Sequence, residues 1–343
     1  MNSFEIVSGH TDARVAVRGR RYLAGADYPE VPVSIPMAND SVLALRMKAG
    51  VETPAAAANL CRGVLDDELY RCGGIHLSGL PLKTAADFSE FIRVLGYPPC
   101  SYQGGIAVRN HVAGYALVAS NESGAITMAP HNELAYLPTF PRKILFFCAR
   151  EADRGGEVPI SDIRQSVKFV KPEVLAKFRD KEIRYYRHLP RENCQAQIGW
   201  METFGVTDCN GAERLMEENG YDYHWLDNDT LCYSYINPAF VAHPDTGEEL
   251  WFNQVTELHS SYWRRHPDFA SDLPEEAYPA TTRYGDGTPI DPDLISSLRA
   301  AIWKTASAIK LRQGEILALD NLVVQHGRFD FEGPRLHMVA ITH

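Results

Sequence analysis

The chain has 343 residues, of which 45% are hydrophobic and 23% charged, and its formal net charge is −10. This composition is typical of a globular protein with a sizeable core. The negative charge argues against a nucleic-acid partner, because the phosphate backbone is bound by cationic faces. No apolar run approaches the roughly 20 residues of a membrane span, which argues against a membrane partner. The seven scattered cysteines have no C-x-x-C spacing, and this favours a reducing, cytoplasmic location.

The first hundred residues carry little recognisable signal beyond two predicted helices. The segment GVETPAAAANL (50–60) leads into the first of them. The segment TAADFSEFIRVLGY (84–97) predicts the second, because its apolar residues recur every three or four positions after a polar start. Residues 101–120 are rich in glycine and β-branched residues, which is typical of strands and turns.

The predicted core begins with the apolar strand KILFFCAREA (143–152). The next segment, 153–170, predicts a Gly-Gly turn, a short strand and the start of a helix. A further helix is predicted over 291–311, where Asp291 is the expected N-cap and Pro292 occupies the first helical position.

Strand periodicity returns near the C-terminus, on either side of a turn predicted at Asp320-Asn321. Strands therefore dominate before and after a segment that reads as helical, at roughly 171–310. We predict a single, mainly β domain over residues 1–343, a jelly roll with helical insertions, in which 1–100 is the least defined part.

Four histidines have an acidic residue two positions later, and a few such pairs are expected by chance in a chain with 12 His and 44 acidic residues. His10 lies near the chain start, where an exposed location is expected. His243 and His266 are each followed by proline, so these pairs are predicted to form turns at the surface.

His131 and Glu133 differ in context, because they precede an apolar strand. In an extended backbone, residues i and i+2 project to the same side. His326, at the end of a late apolar strand, is the predicted third ligand. Two imidazoles and one carboxylate on one face of a metal leave positions open for a bidentate co-substrate and O2, which is typical of non-haem Fe(II).

Arg335 follows His326 by nine positions, so a strand–turn–strand return would bring its guanidinium back towards the metal. A fork of N–H donors at that place can bind the far carboxylate of a dicarboxylic acid whose other end chelates iron. Taken singly, Arg335 also fits a salt bridge at the rim, and His326 fits a core histidine.

Four segments resemble the TauD/TfdA family of Fe(II)/2-oxoglutarate-dependent dioxygenases, and most closely its syringomycin-biosynthesis hydroxylase-like (SyrP-like) branch. They are HNELAY, PRKILFFCAREADRGGEVPISDIR, HPDTGEELWFNQVTELH and LDNLVVQHGRFDFEGPR, and they extend from about residue 100 to the end. The resemblance implies a double-stranded β-helix of the clavaminate synthase type. It also implies Fe(II) on His131, Glu133 and His326, and 2-oxoglutarate chelating the iron with its distal carboxylate on Arg335.

The resemblance further implies a reaction in which O2 and 2-oxoglutarate are consumed and a hydrogen atom is removed from the substrate. Halogenases of this fold carry Gly or Ala at the carboxylate position, so Glu133 favours hydroxylation, desaturation or cyclisation over chlorination. One residue departs from the family pattern. Relatives usually have Thr or Ser where this chain has Val158, and that hydroxyl helps to bind 2-oxoglutarate.

The branch acts on amino acids or amino-acid-like acids in natural-product pathways, free or bound to a carrier protein. Candidate substrate residues are Tyr136, Asn253 and Arg328, whose alternative roles are a core aromatic, a strand-end hydrogen bonder and a surface charge. Two rival functions stay open: an Fe(II) oxygenase that does not use 2-oxoglutarate, which Val158 permits, and an inactive binding subunit. A homo-oligomer is also left open.

Overall fold

A computed structural model describes most of the chain. The described residues are 3–7, 12–37, 42–106, 110–194 and 197–343. They form 22 strands and eight α-helices. The prediction for His10 lies outside the described residues.

The helices and strands are numbered in chain order. The strands are β1 (Phe4–Ile6), β2 (Arg14–Ala16), β3 (Ser34–Pro36), β4 (Leu43–Met47), β5 (Gly74–Ser78), β6 (His111–Ala113), β7 (Ala116–Val118), β8 (Met128–His131), β9 (Lys143–Arg150), β10 (Arg154–Gly155), β11 (Val158–Asp162), β12 (Ile183–Leu189), β13 (Asp222–Trp225), β14 (Leu231–Asn237), β15 (Phe240–Ala242), β16 (Glu249–Trp251), β17 (Ala280–Tyr284), β18 (Ser307–Ile309), β19 (Ile316–Asp320), β20 (Val324–Arg328), β21 (Phe331–Glu332) and β22 (Leu336–Thr342). The α-helices are α1 (Pro54–Cys72), α2 (Ala85–Leu95), α3 (Ile163–Ser166), α4 (Pro172–Lys181), α5 (Trp200–Phe204), α6 (Cys209–Glu218), α7 (Ser260–Trp263) and α8 (Pro292–Lys304).

The major sheet has eight strands in the order β1-β4-β5-β19-β9-β22-β7-β6. Alternation along its central strand β9 divides the interior into two cores. Phe146 and Cys148 belong to the core that this sheet shares with the second sheet. Leu145 and Phe147 belong to the core that it shares with α1 and α2.

The minor sheet has four strands in the order β18-β11-β20-β8 and faces the major sheet across the first of these cores. Its outer side is covered by α8, where the Ser161 hydroxyl donates to the Ile302 carbonyl at 3.0 Å. Among the described residues, the major and minor sheets face each other without closing into a barrel. The predicted jelly-roll fold is confirmed.

The segment predicted as a helical insertion is mixed. It holds α4 to α8 but also a four-stranded antiparallel sheet, β13-β14-β12-β17. The difference has a physical cause, because β12 and β14 carry tyrosines at alternate, inward-facing positions that pack across the strands. The first hundred residues contribute β1, β4 and β5 to the major sheet, with α1 and α2 packed against it.

Two predicted helices begin where their capping residues indicate. Thr84 and Asp87 form a reciprocal capping box at the start of α2, and the Asp291 carboxylate accepts from the amide of Asp293 at the start of α8. Among the described residues, no helix combines the length and the apolar character that crossing a bilayer requires.

Phe147 provides a test of the helix-facing core. Its ring stacks on Phe88 of α2 at a centroid distance of 5.1 Å, and both side chains are fully buried. We expect Phe147→Ala to lower the free energy of unfolding by about 3–5 kcal/mol, because it leaves a cavity between sheet and helix. Urea denaturation measures the change. Phe169→Ala, at a half-exposed side chain, should change it by less than about 0.5 kcal/mol, and equal effects would contradict this packing.

Candidate metal centre

His131, Glu133 and His326 converge in the space between the two sheets. His131 ends β8 and pairs directly with His326 of β20, so the two imidazoles are cross-strand neighbours with a centroid distance of 4.8 Å. The carboxylate Oε2 of Glu133 lies 4.0 Å from Nε2 of His131 and 3.5 Å from Nε2 of His326. The three ligand atoms all lie within 4.8 Å of one another.

The backbone conformation that positions Glu133 beside the imidazoles differs from the predicted one. The strand ends at His131, and Glu133 lies in a turn that Leu134 completes with a positive φ of 56°. The turn, rather than an extended backbone, brings the carboxylate to the side of the imidazoles.

The donor set fits a metal ion. Nδ1 of His131 donates to the Ala129 carbonyl at 2.9 Å, which leaves the lone pair of Nε2 directed at the shared space. Burial, followed by the neighbouring His326, lowers the pKa of His131 and favours the neutral imidazole that binds metals. Ligands about 2.1 Å from a metal at right angles lie about 3 Å apart, so a small inward shift completes the site.

The metal centre is shielded from solvent by the major sheet. The ring of Phe146, on the central strand β9, packs against the imidazole of His326 at a centroid distance of 4.9 Å. Glu133 and His326 are each only 4% exposed. The Phe146 side of the site is therefore screened from bulk water, and electrostatic interactions there are stronger than in solvent.

Asn321 joins the two segments that carry the ligands. Its Oδ1 accepts from the Glu133 amide at 2.7 Å, and its Nδ2 donates to the carbonyls of Glu133 at 3.0 Å and Pro141 at 2.8 Å. In return, Nδ2 of Asn132 donates to the Asn321 carbonyl at 2.5 Å. The turn with Glu133 is thus fixed to the turn that precedes the strand of His326.

A second contact to this turn comes from the insertion. Nε2 of Gln254 donates to the Asn132 carbonyl at 2.6 Å. The neighbouring Asn253 uses its amide for the backbone, donating to Ala239 at 3.0 Å and accepting from Val255 at 3.1 Å. Asn253, a candidate substrate residue, therefore positions the segment that holds the ligand turn.

The two His-Pro pairs do form turns, but the prediction that both histidines lie at the surface is wrong. His243 is 2% exposed, and its Nε2 lies 3.2 Å from Oδ2 of Asp320, at the end of β19. His266 is 4% exposed and lies 3.3 Å from Oε2 of Glu122. Proline sets the backbone of a turn, whereas tertiary packing decides whether the side chain beside it is buried.

Arg335 has the features of an anion site. Its Nε is buried without a hydrogen-bond partner, and its Nη2 lies 2.8 Å from Nδ1 of His337. Burial, together with the charge of Arg328, lowers the pKa of Arg335 to about 9. A Cβ on Gly156, where φ is +70°, would lie 3.0 Å from Nε of Arg335, so the predicted Gly-Gly turn leaves room for the guanidinium.

Val158 lies midway between Gly156, which is beside Arg335, and Ile160, which is beside His326. Gly156 contacts Arg335, and Ile160 pairs with His326 across β11 and β20. Val158 faces the same side as Ile160 and is 2% exposed. Its side chain offers no hydrogen bond to a co-substrate that spans this distance.

The other two candidate substrate residues are buried as well. Arg328 is not a surface charge, because its guanidinium donates to the carbonyls of Glu122, Ser123 and Ile126 and so fixes the loop before β8. The Tyr136 hydroxyl accepts from the Ile106 amide at 2.7 Å. The guanidinium of Arg187 lies over the Tyr136 ring, 5.5 Å from its centre.

Four residues around the site were missed from the sequence: Phe146, Arg187, Gln254 and Asn321. Arg187 is the informative case, because its guanidinium lies 5.5 Å from the centre of the Tyr136 ring and is fully buried. Because β12 also carries Arg184 and His188, the sequence alone does not single out Arg187 as buried. Asn321 and Gln254 leave no signal in the sequence either, since their roles depend on distant backbone.

Two facing sheets around a buried His-Glu-His cluster define a jelly-roll protein of the mononuclear non-haem metal class. The family described as "Taurine catabolism dioxygenase TauD, TfdA family" matches residues 45–342, and the chain belongs to it. The predicted family is therefore confirmed, and so is the predicted enzyme class, the Fe(II)- and 2-oxoglutarate-dependent oxygenases. The assignment to the syringomycin-type branch stays a prediction.

Individual relatives agree with this assignment. The dapdiamide synthesis protein DdaC of Enterobacter agglomerans is 30% identical over 280 residues, which covers 81% of this chain and 84% of that protein. A clavaminate synthase-like protein of Arabidopsis thaliana is 27% identical over 285 residues, with 81% and 83% covered. The crystal structure of PvcB from Pseudomonas aeruginosa shares the fold at a TM-score of 0.51 and 14% identity, with 98% and 95% covered.

Asn321→Ala tests how the ligand turn is held. We expect the dissociation constant for Fe(II) to rise about 10- to 100-fold, because Glu133 loses the contacts that orient its backbone. Anaerobic metal titration measures this, and urea denaturation shows whether the variant is folded. Asn219→Ala is the control, since this exposed amide bonds only to the Leu215 carbonyl of its own helix. Unchanged affinity in a folded Asn321→Ala protein would contradict the assigned role.

Proposed function

We propose that the protein hydroxylates, desaturates or cyclises an amino acid or an amino-acid-derived acid, with Fe(II) held by His131, Glu133 and His326. The observation that carries this proposal is the convergence of the three ligand atoms within 4.8 Å in a buried site. Because Glu133 occupies the carboxylate position, halide has no free position there, which favours oxygenation over halogenation.

Different residues bind the metal, bind the co-substrate and exclude water. His131, Glu133 and His326 occupy one face of the metal and leave the other face to co-substrate and O2. Arg335 binds the distal carboxylate of 2-oxoglutarate through Nε, which has no hydrogen-bond partner in the protein. Phe146 and the facing sheets exclude water. When bound, Fe(II) with 2-oxoglutarate and O2 supplies the oxidising power that removes hydrogen from the substrate.

A relative supports the substrate class. DdaC, which aligns with 81% of this chain, is named for dapdiamide synthesis, and this agrees with a role in natural-product formation. The residues of the site add a second argument. The fully buried guanidinium of Arg187 lies beside Tyr136, and Tyr136 follows Glu133 by three residues. A site with this charge suits an acid.

Anaerobic titration tests the metal assignment. Fe(II) and 2-oxoglutarate together should produce the weak visible absorption band of the iron chelate, and His326→Ala should abolish it. His76→Ala is the matched control, because His76 pairs with Glu315 at 2.9 Å outside the metal centre. Iron binding without the band would favour an oxygenase that does not use 2-oxoglutarate, and no iron binding would favour the inactive binding subunit.

Val158→Thr tests the co-substrate pocket. A hydrogen bond to a charged group is worth about 1.5–3 kcal/mol. The introduced hydroxyl should therefore tighten 2-oxoglutarate binding about tenfold or more, measured as the concentration that half-saturates the visible band. Val158→Ala should bring no gain, because it removes volume without adding a donor. Equal affinity in wild type and Val158→Thr would contradict the placement of Val158 beside the co-substrate.

A further inference from the structure

The tyrosine-rich sheet of the insertion holds an arginine that is enclosed by aromatic rings. Arg187 lies on the inward face of β12, where Tyr185 precedes it by two positions. Strand pairing places Tyr233 opposite Arg187 and Tyr235 opposite Tyr185. Arg187 has no exposed surface. Its surroundings are therefore apolar rings with polar hydroxyl edges.

Most of the hydrogen-bonding capacity of Arg187 is unused. Its Nη1 donates to the Gly104 carbonyl at a long 3.3 Å, whereas Nε and Nη2 are buried without a partner. The hydroxyl of Tyr235 is buried and unpaired as well. In the described part of the chain, no carboxylate forms an ion pair with this guanidinium.

Burial of the Arg187 guanidinium destabilises the folded protein. A buried cation loses its hydration, and the ring of Tyr136 at 5.5 Å compensates only part of that loss. Every unmade hydrogen bond adds to the cost. A folded protein that retains such a group gains from it when a ligand supplies the missing acceptor.

One side chain links the enclosed guanidinium to the ligand turn of the candidate metal centre. Tyr136 follows the metal-side carboxylate Glu133 by three residues, and its ring lies against Arg187. Burial raises the pKa of Tyr136 well above its usual value, and the charges of both Arg187 and Glu133 act on it. Tyr136 thus contacts the buried cation and belongs to the same turn as Glu133.

We propose that Arg187 binds a carboxylate of the substrate, a subsite that rests on the oxygenase function proposed above. Nε and Nη2 lie on one edge of the planar guanidinium and match the two oxygens of a carboxylate. The Tyr235 hydroxyl adds a third donor. The carboxylate is that of a free acid, because a thioester to a carrier protein through the same group would have no anion to offer.

A cavity lies next to this subsite. Its volume is about 250 Å³, and it lies between the loop 101–106 and α5. It shares Gly104 with the surroundings of Arg187, since Gly104 lines the cavity and its carbonyl accepts from Arg187. The same loop contacts Tyr136 through the Ile106 amide. The loop 101–106 therefore connects this cavity to the residues around the guanidinium, which itself has no exposed surface.

The test compares wild type with Arg187→Met, which keeps the volume and removes the charge. Arg191→Met is the matched control, because Arg191 is a half-exposed arginine just beyond the same strand. The probes are the twenty proteinogenic amino acids, each as free acid, methyl ester and N-acetylcysteamine thioester. Product mass and succinate release give kcat and KM, and the visible iron–2-oxoglutarate band reports the metal centre.

For an acid that wild type oxidises, Arg187→Met should lower kcat/KM by about 100-fold or more, mainly through KM. The methyl ester should react equally weakly with both proteins, and Arg187→Lys should recover part of the loss. The band should persist in Arg187→Met. Equal losses on acid and ester, or a thioester that wild type prefers to the acid, would overturn the proposal.

A second measurement needs no substrate. Because Arg187 is unpaired in the free protein, Arg187→Met should have a urea midpoint at or above that of wild type. A lower midpoint would mean that the guanidinium serves the fold, and it would overturn the subsite even if no acid in the panel is oxidised. Absence of the visible band in wild type would instead overturn the oxygenase function itself.

Discussion

The metal centre depends on the hydrogen bonds of one buried amide. Asn321 binds both the amide and the carbonyl of Glu133, and its own carbonyl accepts from Asn132. These contacts connect the ligand turn after β8 with the turn before β20, which are nearly two hundred residues apart in sequence. Cross-strand pairing of His131 with His326 sets the third point of the triangle. The site is thus assembled by the backbone of the jelly roll rather than by any single segment.

The division of β9 into two faces gives this assembly its rigidity. The same strand packs Phe147 against α2 and Phe146 against His326. A displacement of β9 would therefore disturb the helix layer and the metal ligand together. The minor sheet is supported likewise, because α8 holds its outer side through Ser161. Helices packed on the outer side of each sheet therefore fix the strands that form the site.

Local signals in the sequence predict much of this architecture. The polar start of 84–97 and the N-cap Asp291 mark helix starts correctly, and the apolar run of 143–152 predicts β9. The motifs around His131 and His326 predict the family, which the comparison with known proteins confirms. Such signals are readable because each depends on residues close together in the chain.

The remaining features depend on tertiary contacts that a sequence does not display. The burial of His243 follows from its pairing with Asp320, and the third sheet follows from tyrosines that meet across strands. Arg187 reads as one more charged residue until the strands around it are paired. In each case, the deciding partner is more than forty residues away.

The insertion is bound to the metal centre as well as to the surface of the jelly roll. Gln254 holds the carbonyl of Asn132 beside the ligand Glu133, and His243 holds Asp320 at the end of β19. A designer who exchanges this segment for that of a relative, in order to change substrate choice, would therefore also alter the support of the proposed iron ligands. Chimeras that keep residues 243 and 254 and replace only the tyrosine-bearing strands are the sounder route to a new specificity.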